Sequence, residues 1–139
     1  MSILFLDTNI ISDMMRDLQG AAATRAKQAS IQRGDDTLYT STVVQCELEY
    51  GMERKSSPRL LAAYKAVMQT IEILPLDHTV SVHYAQLRTH LERTGTPIGP
   101  NDTLIAAHAL ALGATLVTAD AEFTRVPGLK LENWLQALP

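Results

Sequence analysis

The stretch Ile3-Leu4-Phe5-Leu6-Asp7-Thr8-Asn9 decides the fold. Its apolar residues follow one another without a polar face, which reads as a strand covered on both sides, as in a parallel sheet. The strand is placed at residues 2–6, and Thr8-Asn9 opens a helix that runs to about residue 16. The chain therefore passes from buried strand to helix across a single carboxylate, Asp7. A second stretch, Thr115-Leu116-Val117-Thr118-Ala119-Asp120, has the same shape: a short apolar strand over 115–118, then an acid. Acids at strand ends and helix starts are where an open α/β sheet builds its site.

Between these stretches, strands alternate with helical patterns. Residues 21–32 are Ala-rich and helix-prone, Gly34-Asp35-Asp36 is a turn, and 38–41 is a strand. A helix over 42–54 follows, with Ser41 or Thr42 as its N-cap. Pro58 suits a first helical turn, so 59–70 is helical, and 71–75 is a third strand. Asp77 or Thr79 caps a helix over 80–93. Residues 95–100, with Gly95, Pro97, Gly99 and Pro100, form a rigid loop. Asn101 or Asp102 then caps a helix that stops at Gly113. Pro127-Gly128 is a turn, and 129–131 adds an edge strand. The fold class is α/β, with a mainly parallel sheet of four to five strands. Helices outnumber strands, so some crossovers hold two.

A chain of 139 residues suits one domain spanning 1–139, and at 46% hydrophobic it can bury a core. Cys46 is the single cysteine, so no intrachain disulfide is possible. A small core residue is the expected role of Cys46, and a reducing cytoplasm the expected location. The N-terminus lacks the basic region and long apolar run of a signal peptide, and no stretch approaches the ~20 apolar residues of a membrane span. The net charge of −3 gives no general basic footprint for nucleic acid. Contacts to RNA or DNA phosphates would need a local patch: Arg54, Lys55, Arg59 and Lys65, or Arg125 and Lys130.

Four acids stand out: Asp7, Glu47, Asp102 and Asp120. Each has a bland explanation of its own. Asp7 followed by Thr-Asn fits an Asx-turn or helix cap, Asp102 an N-cap, and Asp120 a strand end. Glu47 is more informative, because Val43, Val44, Leu48 and Gly51 share its helix face by the i, i+3 and i+4 rule. A carboxylate beside the core needs a partner. Glu49 groups with Gln45, Met52 and Glu53 and reads as a solvated surface group. Asp7 and Asp120 end strands. The helix begun at Asp102 leads into a parallel strand, so it also starts at the carboxyl edge of the sheet. Crowded carboxylates raise one another's pKa values, and a divalent cation relieves the repulsion. Without Cys or His ligands, such a cluster suits a hard ion, Mg²⁺ or Mn²⁺, and metal-assisted phosphodiester hydrolysis. His78, His83, His90 and His108 lack the spacing of a zinc protease motif, and no Gly-rich phosphate loop or Gly-x-Ser-x-Gly elbow is present. Nucleophilic phosphatase chemistry at Asp7 would want a second acid two positions on, where Asn9 stands.

Leu6-Asp7-Thr8-Asn9, the run Cys46-Glu47-Leu48-Glu49-Tyr50-Gly51, Gly99-Pro100-Asn101-Asp102, and Val117-Thr118-Ala119-Asp120 with Phe123 and Val126-Pro127-Gly128 together resemble the PIN-domain family, most of all VapC-type toxins of toxin–antitoxin pairs. The resemblance runs in order along essentially the whole chain. It implies a three-layer α/β/α domain and a Mg²⁺- or Mn²⁺-dependent endoribonuclease. It further implies a homodimer, held inactive by an antitoxin whose C-terminal segment covers the active-site groove. By position, Asp7, Glu47, Asp102 and Asp120 would form the metal-binding quartet. Thr8 would hold Asp7 or a metal-bound water through its hydroxyl, and Thr118 would support Asp120. Many relatives carry Asn and a longer loop near the fourth acid. Here the loop is short, which leaves Glu122 as an alternative to Asp120 or a sharer of its role. A role chiefly as a binding module, joined to an antitoxin on operator DNA, is the rival expectation.

Overall fold

The computed structural model describes residues 3–34 and 38–136. Among these, five strands make one sheet: β1 (Leu4–Leu6), β2 (Leu38–Ser41), β3 (Ile71–Leu74), β4 (Thr115–Val117) and β5 (Lys130–Glu132). Their order across the sheet is β3-β2-β1-β4-β5 and every neighbouring pair is parallel. β1 is central and all three of its residues are buried, as an unbroken apolar run requires. Phe5 pairs with Tyr39 on one side and Leu116 on the other. The ladder continues past β1, where the Asp7 backbone N–H donates to the Val117 carbonyl at 2.9 Å.

Helices cover both faces of the sheet. They are α1 (Thr8–Arg16), α2 (Ala21–Arg33), α3 (Thr42–Lys55), α4 (Pro58–Met68), α5 (His78–Arg93) and α6 (Pro100–Leu112). α1 packs on α2, α3 and α4, while α5 packs on α6. The result is the expected three-layer α/β/α arrangement, with two helices in each of the crossovers between β1 and β2, β2 and β3, and β3 and β4. α6 is apolar nearly all round, as a buried helix should be. Ile105, Ala106, Ala107 and Ala109 are fully buried along it, and the small alanines let its backbone come close to its neighbours. Among the described residues no helix is long and apolar enough to cross a membrane.

Several local expectations need correction. Asp102 does not cap α6. Pro100 takes the first helical position and Gly99 the cap, so Asp102 sits in the first turn, because proline fixes φ for a helix start and lacks an N–H to satisfy. Cys46 is exposed. It lies two residues from both Val44 and Leu48, and residues that far apart on a helix do not share a face. A 3₁₀ turn, Ala121–Arg125, follows β4 where only loop was expected. Helices α4 and α5 begin earlier than expected, with Ser57 and Asp77 as caps. Ser2 and the turn residues Asp35 and Asp36 lie outside the described residues.

Candidate active site

β2 and β3 are added on one side of β1, and β4 and β5 on the other. The strand order therefore reverses between β1 and β4. A crevice opens at the carboxyl end of such a switch point, because the helical connections diverge to opposite sides. All four expected acids are delivered there. Asp7 follows β1, Glu47 lies in α3 directly after β2, Asp102 is in the first turn of α6, and Asp120 follows β4.

Asp7 is only 3% exposed. It caps α1, with Oδ1 accepting from the Thr8 backbone N–H at 2.8 Å. Its Oδ2 accepts from the Thr118 hydroxyl at 2.7 Å and from Asn9 Nδ2 at 3.1 Å. Burial still outweighs these donors and raises its pKa, with Glu47 and Asp120 adding repulsion. The cap reading and the site reading thus describe one side chain.

The two threonines are wired differently from expectation. Thr8 serves Asp7 with its backbone, and its hydroxyl donates to Glu47 Oε1 at 2.6 Å. Thr118 gives its proton to Asp7, not to Asp120, and its oxygen accepts from the Asp120 backbone N–H at 3.0 Å. A hydroxyl has one proton to give but can also accept, which lets Thr118 join the ends of β1 and β4.

Asp102 is half-buried, and burial together with the charges of Asp7, Asp120, Glu47 and Glu122 lifts its pKa to about 6. Asp120 caps the 3₁₀ turn by accepting from the Glu122 N–H at 2.9 Å. That turn brings Glu122 back toward the other acids. Among the described residues, Asp102, Asp120 and Glu122 each offer a carboxylate oxygen within 4.8 Å of the other two. Glu122 therefore joins the cluster beside Asp120 rather than displacing it. Asp7 and Glu47 lie outside this tightest group yet close enough to act on Asp102.

Asn9 is the residue that sequence reasoning missed. Its Nδ2 donates to Asp7 and, at 3.4 Å, to Thr118, while its Oδ1 accepts from the Ala119 N–H at 3.0 Å. The available signal was an amide within the first helical turn after an acid, where Asn normally turns to its local backbone. Here it bonds across the switch point. Glu49 is exposed as expected. His108 is buried away from the acids, and its Nδ1 meets the Ser41 hydroxyl at 2.9 Å. Of the basic candidates, Arg54 and Lys55 end α3, roughly 10 Å along the helix from Glu47 at 1.5 Å per residue. Arg125 sits beside the cluster, 4.0 Å from Glu122 Oε1.

The arrangement is an all-oxygen, mutually repelling pocket at the mouth of a parallel sheet. Its donors suit a hard divalent cation. Comparison with known proteins agrees with the geometry. The family described as PIN domain matches residues 4–129. A Salmonella typhimurium protein named tRNA(fMet)-specific endonuclease VapC is 40% identical over 96 residues, covering 68% of this chain and 73% of that protein. A Shigella flexneri protein of the same name is 35% identical over 131 residues, covering 93% and 96%. The crystal structure of VapBC2 from Rickettsia felis bound to a DNA fragment from their promoter contains a chain that superposes with a TM-score of 0.87 at 34% identity, over 95% of this chain and 98% of that one. The DNA-bound VapBC from Salmonella typhimurium gives 0.85 at 32% identity, over 96% and 99%.

Proposed function

As the chain belongs to the PIN-domain family and, within it, to the VapC group, we propose that it is a Mg²⁺- or Mn²⁺-dependent endoribonuclease, the toxin of a toxin–antitoxin pair. The observation that supports this most is the convergence of Asp7, Glu47, Asp102, Asp120 and Glu122 on one pocket, with Asp102 pushed up to about 6 by burial and then by its acidic neighbours. Five crowded acids, with Arg125 set beside them at 4.0 Å from Glu122 Oε1, still repel one another, and an oxygen-seeking cation relieves that conflict.

Asp102, Asp120 and Glu122 are close enough together to hold such an ion, with Asp7 and Glu47 completing the acidic wall. When bound, Mg²⁺ or Mn²⁺ supplies a water of lowered pKa and neutralises charge on the scissile phosphate. The chain's own residues supply placement. Thr8, Asn9 and Thr118 fix both oxygens of Asp7. The Thr8 hydroxyl orients Glu47, and the backbone of the 3₁₀ turn orients Asp120. Groups locked in this way need little reorganisation when a phosphodiester arrives.

An antitoxin would be the inhibiting partner and a second copy of the chain the dimer mate. The solved relatives bound to DNA, one of them to a fragment of its promoter, favour a further role in an operator-bound toxin–antitoxin complex. With a net charge of −3, this chain offers no broad surface for phosphates, so the DNA contacts in such a complex would fall to the antitoxin.

The test is cleavage of defined RNAs by purified protein with Mg²⁺, Mn²⁺ or EDTA. Activity should need the ion, and Asp102→Asn should lose more than the about 10–100-fold that removal of a mere supporting group costs. Full activity of Asp102→Asn, or undiminished cleavage in EDTA, would sink the reading.

A further inference from the structure

We propose that Arg125 is a positioning residue that sets the spacing of the acidic pocket. It does so by tying the turn that carries Asp120 and Glu122 to the loop that delivers Asp102. The proposal rests on the cation-dependent reading of the site.

Asp102 is placed by the loop between α5 and α6. That loop is bonded at its start to α5, where Gly95 N donates to the Glu92 carbonyl and Thr96 N to the Leu91 carbonyl. At its end the Gly99 carbonyl accepts from Thr103 N at 2.9 Å and from the Thr103 hydroxyl at 2.8 Å. These bonds tie the loop to its own flanking helices. Pro97 and Pro100 have no N–H to offer, so at these two positions the loop backbone can bond only through carbonyls. The Pro97 carbonyl accepts from Arg125 Nη1 at 2.9 Å, across 28 residues of sequence.

Arg125 closes the 3₁₀ turn that begins at Ala121. Phe123 and Val126 beside it are 0% and 4% exposed, so the backbone from which the guanidinium projects is anchored in the core. The same guanidinium lies 4.0 Å from Glu122 Oε1. One side chain thus spans from the turn bearing two of the clustered acids to the loop that leads into the first turn of α6, which bears the third. An exposed bond of this kind adds little to global stability. It acts on spacing, to which a site of three oxygens within 4.8 Å is sensitive.

The sign of the effect separates this role from a plain charge effect. A positive group beside the pocket repels a cation, so loss of its charge alone would tighten ion binding. Loss of the tie would loosen it.

The experiment is a calorimetric titration of the full chain with Mn²⁺ and no RNA, using wild type, Arg125→Ala, Arg125→Lys and Asp102→Asn. Arg125→Ala should weaken Mn²⁺ binding about 10-fold with the metal-free melting temperature unchanged. Arg125→Lys keeps an N–H donor of similar reach and should bind within a few-fold of wild type, whereas a loss as large as that of Arg125→Ala counts against the tie. Equal or tighter binding by Arg125→Ala overturns the proposal. So does an unchanged Mn²⁺ affinity joined to a raised KM for RNA and a shallower salt dependence, the mark of a direct phosphate contact. If wild type binds no Mn²⁺, or Asp102→Asn binds it as well as wild type, the cation reading itself fails.

Discussion

Three donors converge on the buried carboxylate of Asp7, from Thr8, Asn9 and Thr118, and still its pKa is raised. Asp102, raised first by its partial burial and then by four like-charged neighbours, reaches about 6. For both, the folded chain holds a proton at pH values where the unfolded chain, with a carboxyl near 3.9, has released it. The folded state then binds more protons, so stability falls as pH rises. Without metal, stability should therefore decline from about pH 4 to about pH 6, and Asp102→Asn should remove part of that decline while abolishing cleavage. Urea unfolding in EDTA across this range measures it; an Asp102→Asn profile parallel to wild type would contradict the assignment. At this scale the sequence was partly legible. Helical spacing separated Glu47 from Glu49, because only Glu47 lies four and three residues from Val43 and Val44. The same spacing argues against a buried Cys46, where residue type had suggested the core. The partners of Thr8, Asn9 and Thr118 were not legible, since a hydroxyl or amide bonds to whatever the fold brings near.

The elements carry the acids with differing precision. α3 is capped as expected, the Ser41 hydroxyl accepting from Val43 N at 3.1 Å. That hydroxyl also meets His108 of α6, which joins the two helices that start at the same sheet edge. Ser41 has one proton to give, which suits a neutral ring accepting at Nδ1. Burial lowers the His108 pKa. Between its folded value and the ordinary ~6.5 the unfolded chain binds a proton that the folded chain refuses. The His108 contribution is therefore lost as pH falls below about 6.5, the opposite sign to Asp102. His108→Gln should flatten the stability profile between pH 7 and pH 5, whatever its effect on absolute stability. An unaltered slope would show that the ring is free to ionise in place. The start of α6 was misread by two to three positions because Asn101 and Asp102 are better cap residues than Gly99, yet Pro100 decides the matter. The 3₁₀ turn was missed because one short turn carries no periodicity, although it brings Glu122 into the cluster.

At the scale of the molecule, sheet class and strand number were readable from buried runs, turn residues and helical stretches. The order β3-β2-β1-β4-β5 was not, since local sequence does not record which strand lies beside which. The order is what makes the site. It sets β1 between partners distant in sequence and opens the crevice into which the acids project. Ion binding to such a pocket favours the folded state alone. Mn²⁺ at 100 times its Kd should therefore add about 2.7 kcal/mol to unfolding stability at neutral pH. Thermal melts with and without the ion check this, and an equal gain in Asp102→Asn would place the ion elsewhere.

The central position of β1 also fixes when the molecule becomes complete. As the chain is made, β1, β2 and β3 emerge first and can pair with one another. Asp7 and Glu47 are then in place, but three of the five acids are missing. Asp102, Asp120 and Glu122 come later in synthesis, and they join the pocket only when β4 settles against the open flank of β1 and β5 closes beside it. For the ribonuclease proposed above, a chain still on the ribosome lacks the complete acidic pocket. A protein made at the same time has the interval before that last docking in which to find it.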